Sequence, residues 1–420
     1  MNEKRFQEMK KLHSSYFPYY EKHILDQLKT IPEEGIKNML KNFVIERIGK
    51  RPGIRAYIFK KIWDLLGLKE NEQLHKLCAA IEMQLGQTYS FNVGADNKSE
   101  FGMNKKVCFD TAKRMLEIHK NYVTKNFGEN VWNIFKEIYD IFYNAQVIDT
   151  LINLYPNLNK SIGRILDEIL KMNEKDVFYK TGIEKRHIEK IYEKFGIFKL
   201  SKENLYDFVK LRTYGINAHM IEQYPRIIEI ILKSSDKMTK NKISSLKKYC
   251  KYYGMAMMII NDVQDFALDL EKKFEATREK NITDVFNDII NKKITYPIMF
   301  ALTNKDKEIE YTIDKAYNNP TLQNLEKLRG ELIEKGYIRR SILEAVAYAH
   351  LGIEKIREIS MNKIEMLEDI IISISLFSKY IKYLRKKYNV KLRPSKSEIK
   401  KRKEELKREL TKENLEILLK

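Results

Sequence analysis

The sequence predicts an all-α protein: a single large helical bundle followed by a short basic tail. Three observations lead there. Of 420 residues, 16 are glycine and 8 are proline, well below average usages of roughly 7% and 5%. Lys, Glu, Ile and Leu fill long tracts, and apolar residues recur at helical spacing. Turn signals are few and widely separated, leaving room for long helices between them.

The elements follow in order. Residues 1–48 carry helical periodicity through Phe17, Tyr20, Ile24 and Leu28, and the turn Lys50-Arg-Pro-Gly53 precedes a helix through Ile58 and Trp63. Helices are expected over about 71–91, 104–125, 129–153 and 203–234. Others are expected over about 242–272, 295–304, 322–335 and 339–380. Residues 150–200 read as a helical insertion with breaks at Pro156 and Gly182. Residues 1–390 form the main body. Residues 391–420, with eleven Lys/Arg against six Glu, read as a separate basic helix.

Composition excludes several classes. No window approaches the ~18 apolar residues of a membrane span, and the first residues lack the apolar core of a signal peptide. Cys78, Cys108 and Cys250 have neither metal-ligand nor disulfide-framework spacing. A cytoplasmic protein is expected. The net charge of +20 is interleaved with Glu along helix faces, without a nucleic-acid-binding motif. Anionic small molecules, or peripheral contact with an anionic membrane, suit it better than nucleic acid.

The most informative segment is Tyr253 to Phe266, an apolar run leading into Asn261, Asp262 and Asp265. Helical spacing allows these three side chains to point into one cavity, with Asp269 one turn on. Acids ending a buried helix are costly without a compensating cation or ligand. Lys293 and Thr295 follow, just before Pro297, and Arg212-Thr213 lies 49 residues before Asn261. Clustered acids facing bases would suit a diphosphate held through Mg²⁺. Each feature also has a plainer reading. The acids could cap a helix, Arg212 could form a surface ion pair, Lys50-Arg51 could be a charged turn, and Pro297 could simply start a helix.

Taken together, the segments resemble the trans-prenyl diphosphate synthases. Gly254, with Asn261, Asp262 and Asp265 beginning seven positions on, falls where that family writes Gly and then Asp-Asp-x-x-Asp. Asp288, Lys293, Thr295 and Pro297 match its Asp-Leu-x-x-Gly-Lys-x-Thr-x-Pro string. Arg212-Thr213 matches its Lys-Thr pair, and Gln146 and Asp149 its Gln-x-x-Asp helix. Gly49-Lys50-Arg51, with Ile54-Arg55, is similar to its Gly-Lys-Arg-x-Arg-Pro motif. The similarity spans about residues 40–305. The departures cluster in the first acidic region: Glu82 matches, but Asn92-Val-Gly-Ala-Asp96 retains only Asp96. Glu100-Phe101-Gly102 replaces Arg-Arg-Gly, and Leu85 replaces a histidine.

The resemblance implies a class I isoprenoid synthase bundle with a central cavity, lined from residues 85–93 and 254–260, and Mg²⁺ as cofactor. It implies metal ligation by Asn261, Asp262, Asp265 and Asp96, and catalysis by Arg212, Thr213 and Lys293. Lys50, Arg51, Arg55, Gln146 and Asp288 would bind substrate. The implied activity is prenyl transfer from an allylic diphosphate to isopentenyl diphosphate or another acceptor, by a homodimer or a heterodimer. The depleted first motif admits two alternatives, a non-catalytic partner subunit or a terpene cyclase.

Overall fold

The computed structural model describes residues 3–96, 104–152, 161–233, 237–267, 286–359 and 384–412. Helices dominate them, and the only β-type pairing among the described residues is an isolated bridge between Ser161 and Lys199. The order is α1 (Glu3–Leu28), α2 (Glu34–Asn38), a wider π-type helix (Met39–Gly49) and α3 (Ile54–Leu65). Then come α4 (Glu72–Ala95), α5 (Lys105–Phe127) and α6 (Glu129–Ile152). Three short helices follow, α7 (Ile162–Leu170), α8 (Glu174–Thr181) and α9 (Lys185–Phe195).

The next rod is broken into α10 (Leu205–Thr213), a π-type segment (Tyr214–Ala218), α11 (His219–Glu222) and α12 (Tyr224–Leu232). The long α13 (Lys237–Ala267) comes next, then α14 (Asn287–Ile290), α15 (Tyr296–Thr303) and α16 (Lys307–Asn318). The described chain ends with α17 (Leu322–Glu334), α18 (Tyr337–Arg357) and α19 (Lys396–Lys412).

One continuous core runs through the bundle, with α4 against α5 and α13 against α18 as its broadest helix contacts. Buried positions along α6, among them Phe135, Ile138, Phe142, Ala145 and Ile148, recur every three to four residues and form its inner stripe. Helix ends are closed locally. Asn71, Asn104 and Thr321 accept N–H groups at the starts of α4, α5 and α17. Gly254 lets α13 approach the π-type segment, since a Cβ there would lie 2.5 Å from Ala218 Cα. Asn217 Nδ2 seals that contact by donating to the Gly254 carbonyl at 2.8 Å.

The insertion holds three helices, and α8 stops at the expected break, Gly182, which takes φ +74°. Its two ends are tied together: Ile162 N–H donates to Phe198 O at 2.8 Å, and Gly163 N–H to Gly196 O at 2.9 Å. A side chain on Gly163 would meet the Gly196 carbonyl at 2.8 Å, so this tie requires glycine.

The C-terminal helix does not stand apart as the sequence suggested. Helix α19 packs along α18. Arg402 Nε meets the buried Glu344 carboxylate at 2.6 Å, and its Nη2 meets Tyr206 Oη at 2.8 Å. Its positive charge is thus partly consumed by internal ion pairs. Helix α16 was not anticipated. The expected helix beyond residue 359 lies largely outside the described residues.

Candidate active site

Five segments distant in sequence deliver charged side chains to one region. Asp96 closes α4, its N–H bonded to Asn92 O at 2.9 Å. Helix α6 contributes Gln146 and Asp149, three apart and so on one face. Gln146 Nε2 reaches Asn92 Oδ1 at 3.4 Å. Arg212 comes from the last turn of α10, just before the helix widens into its π-type segment. Asp262 comes from α13, and Asp288 and Lys293 from the turn around α14.

That turn is shaped by Lys292, at φ +56°, the position where the family string writes Gly. Lys293 N–H closes on Asp288 O at 2.7 Å, and Tyr317 Oη donates to Lys293 O at 2.7 Å. The chain then starts α15 with Pro297 in its first turn.

Two ion-paired centres result. In the first, Arg212 Nη2 donates to Asp262 Oδ2 at 2.6 Å, and Nη1 donates to Ile294 O at 3.1 Å and lies 3.5 Å from Asp149. Tyr296 N–H, at the start of α15, donates to the same Asp262 oxygen at 3.0 Å. Asp262 therefore serves as the anion at a helix N-terminus. In the second, Lys293 Nζ lies 2.5 Å from Asp96, 3.8 Å from Asp149 and 3.8 Å from Asp288. Asp149 joins the two.

Water is excluded from the Arg212–Asp262 pair, and Lys293 is partly buried. Burial pushes the Asp262 carboxyl up to about 6, with Asp288 reinforcing the shift against the pull of Arg212 and Tyr296 N–H. For Lys293, burial acts to lower the ammonium, but Asp96, Asp149 and Asp288 together hold it well above its ordinary range. Arg212 behaves the same way, held charged by Asp262 and Asp149. Such pairs are costly to desolvate and more costly to break.

Asp262 faces inward, whereas Asn261, turned 100° around the helix, is exposed and Asp265 is half-buried. The three do not point together. Asp269 and residues 100–102 lie outside the described residues. Arg212 is fully buried behind Asp149 and Asp262, and Thr213 donates to Val209 O of its own helix at 2.8 Å. Neither lines the cavity described below. Gln146, Asp288 and Lys293 do belong to the cluster.

The remaining basic residues expected to bind substrate sit elsewhere. Lys50 is exposed and paired with Glu46 at 2.6 Å, and Arg51 is exposed. Arg55 donates to Asn217 Oδ1 at 3.2 Å and contacts Met220 Sδ at 3.1 Å. Neighbouring Glu82 is buried under the start of α3. It accepts Ala56 N–H at 3.2 Å, and burial pushes its carboxyl up to about 7.

Magnesium is commonly held by one or two carboxylates, with waters and substrate phosphate oxygens completing its octahedron. Among the described residues no group of three acids is placed to hold a metal ion. The carboxylates that do converge, Asp96, Asp149 and Asp288, converge on Lys293, and Asp262 is engaged by Arg212. As arranged, these residues hold an internal ammonium and guanidinium.

A cavity of about 530 Å³ opens above Lys293, within the range typical of small-molecule sites. Asp96, Gln146, Asp149, Asn291 and Lys293 form its floor, and Phe91, Ala95, Ile165 and Ile169 supply apolar wall. Its roof is the insertion, a contribution that sequence spacing did not reveal. Of residues 85–93 and 254–260, Phe91 alone lines it; Met255, Ala256 and Ile259 pack in the core. Asn291 was also missed. It donates to Asp96 O at 2.9 Å, and its place two residues before Lys293 was the available signal.

No protein-family model and no curated protein sequence matches the chain. Solved structures do. Geranylgeranyl pyrophosphate synthetase from Pyrococcus horikoshii Ot3 superposes with TM-score 0.61 at 13% identity, covering 89% of this chain and 98% of that one. Polyprenyl synthase from Caulobacter crescentus CB15, solved with calcium and isoprenyl diphosphate, gives 0.61 at 13% identity, covering 87% and 96%. Decaprenyl diphosphate synthase from Rhodobacter capsulatus gives 0.59 at 11% identity, covering 87% and 98%. This all-α chain has the fold of the trans-polyprenyl diphosphate synthases.

Proposed function

We propose that the chain binds an allylic prenyl diphosphate in the cavity above Lys293 and catalyses prenyl transfer from it. The observation that carries this reading is the convergence of Asp96, Asp149 and Lys293 at one cavity, ion-paired to Asp288 and, through Asp149, to the buried Arg212–Asp262 pair, in a prenyl synthase fold. On this reading the diphosphate draws the Lys293 ammonium from Asp96 and the apolar wall takes the isoprenoid chain. The allylic C–O bond breaks heterolytically and its electron pair leaves on pyrophosphate, where a fixed positive charge stabilises it. The carbon cation is then attacked by the double bond of isopentenyl diphosphate, with loss of a proton, or by another acceptor. Arg212 is a positioning residue that holds Asp262 and Asp149.

A second reading is favoured by one specific observation: Asp96 and Asp262 are already engaged by Lys293 and Arg212. This suits a non-catalytic subunit that keeps the fold and pairs with an active synthase.

Purified protein incubated with farnesyl or geranylgeranyl diphosphate, with and without isopentenyl diphosphate and Mg²⁺, separates the readings. A longer prenyl diphosphate supports transfer to isopentenyl diphosphate, and Mg²⁺ dependence would mean that the ion displaces the internal pairs. Pyrophosphate released without isopentenyl diphosphate supports another acceptor or ring closure. No turnover, with altered products on mixing with an active synthase, supports the subunit reading and sinks the first.

A further inference from the structure

The roof of the cavity differs from its floor in charge. On the floor, Lys293 already meets Asp96, Asp149 and Asp288. On the roof, Arg164 from α7 and Lys180 from α8 stand with Lys105 at the start of α5, and Glu168 is the acid among them. Among the described residues, none of the three bases pairs with a carboxylate. Lys105 Nζ donates instead to the backbone carbonyl of Lys180 at 2.7 Å, which brings the two like charges together. Burial and the Lys180 charge push the Lys105 ammonium down, as expected for a cation in need of an anion. The roof is also a built element, because the Ile162–Phe198 and Gly163–Gly196 hydrogen bonds tie the ends of the insertion.

We infer that Arg164, Lys180 and Lys105 form an anion grip in which the insertion holds the diphosphate of the substrate directly from above. The proposal rests on the prenyl diphosphate reading and deepens it, assigning the outer phosphate oxygens to the roof and leaving Lys293 to the floor. Arginine offers a fork of donors matched to phosphate, and lysine offers a point charge. Together they supply charge compensation that the ion-paired acids of the floor do not.

The test measures binding of inorganic pyrophosphate, and separately of farnesyl diphosphate, by titration calorimetry in Mg²⁺-free buffer. Arg164 and Lys180 are exposed, so their variants should keep the wild-type melting temperature. Arg164→Ala is expected to weaken pyrophosphate binding about tenfold, and the double variant with Lys180→Ala about a hundredfold. Arg164→Lys should restore part of the loss, and Glu168→Gln should tighten binding. Unchanged affinity in the folded double variant, or no pyrophosphate binding by the wild type, overturns the grip. Failure of the function reading is distinguishable. In that case pyrophosphate binds and depends on Arg164, yet farnesyl diphosphate binds no tighter than pyrophosphate and is not turned over.

Discussion

Asp262 and Asn261 are neighbours in sequence with opposite surroundings, and the contrast can be measured. Asp262→Ala leaves the Arg212 charge buried beside Asp149 alone. It should cost about 3–5 kcal/mol in urea unfolding, the range for breaking one side of a buried pair. Asn261→Ala, at an exposed position, should stay within about 0.5 kcal/mol. Glu82 gives a pH signature. Its carboxyl is pushed to about 7 from an ordinary 4.5 by burial, so the folded state binds this proton more tightly than the unfolded chain. Its contribution therefore favours folding at acid pH and is lost as pH rises from 4.5 through 7. Over that window it amounts to on the order of 3 kcal/mol. Urea midpoints at pH 4.5 and 8 should show that loss in the wild type and much less of it in Glu82→Gln. An equal pH dependence in both would show that another group is responsible.

Among the helices, the turn between α14 and α15 and the docking of α19 invite substitution. Lys292 holds a left-handed conformation that costs an L-residue roughly 1–2 kcal/mol. Lys292→Gly should raise stability by about 0.5–1 kcal/mol once the greater freedom of glycine in the unfolded chain is counted. A loss of stability would mean that the side chain matters more than the backbone. Arg402→Ala strips Glu344, which is 1% exposed, of its partner at 2.6 Å. It should cost about 3 kcal/mol and release α19, seen as faster proteolysis between α18 and α19.

These elements also mark what the sequence made legible. Helices α5, α6 and α13 were readable because their buried faces repeat at helical period. Helix α16 was not, because its Lys/Glu-rich sequence hides an inner stripe of Ile309, Ile313 and Ala316. Its signal was Asp306, which accepts the N–H groups of Glu308 and Ile309. The docking of α19 was illegible because charge counts do not reveal which charges are internally paired.

Across the whole molecule, Asp262, Arg212 and Lys293 were named from their own spacing and Asp96, Asp149 and Asp288 through the family resemblance, and the fold brings all six together. Their roles were less legible. Spacing places residues on a face, but it does not say that Asp262 will face a guanidinium and a helix N-terminus. Nor does it say that the insertion will roof the cavity, which depends on the chain closing on itself between Ile162 and Phe198.

The central claim, that the cavity above Lys293 is where an allylic diphosphate reacts, is tested most directly by pyrophosphate release from farnesyl or geranylgeranyl diphosphate. Wild type should be compared with Lys293→Met, both verified as folded. The expected result is steady release by wild type that falls at least about a hundredfold in the variant, as for removal of a charge stabilising the leaving group. Release that is equal in the two proteins would contradict the account, as would none from wild type with any acceptor or metal.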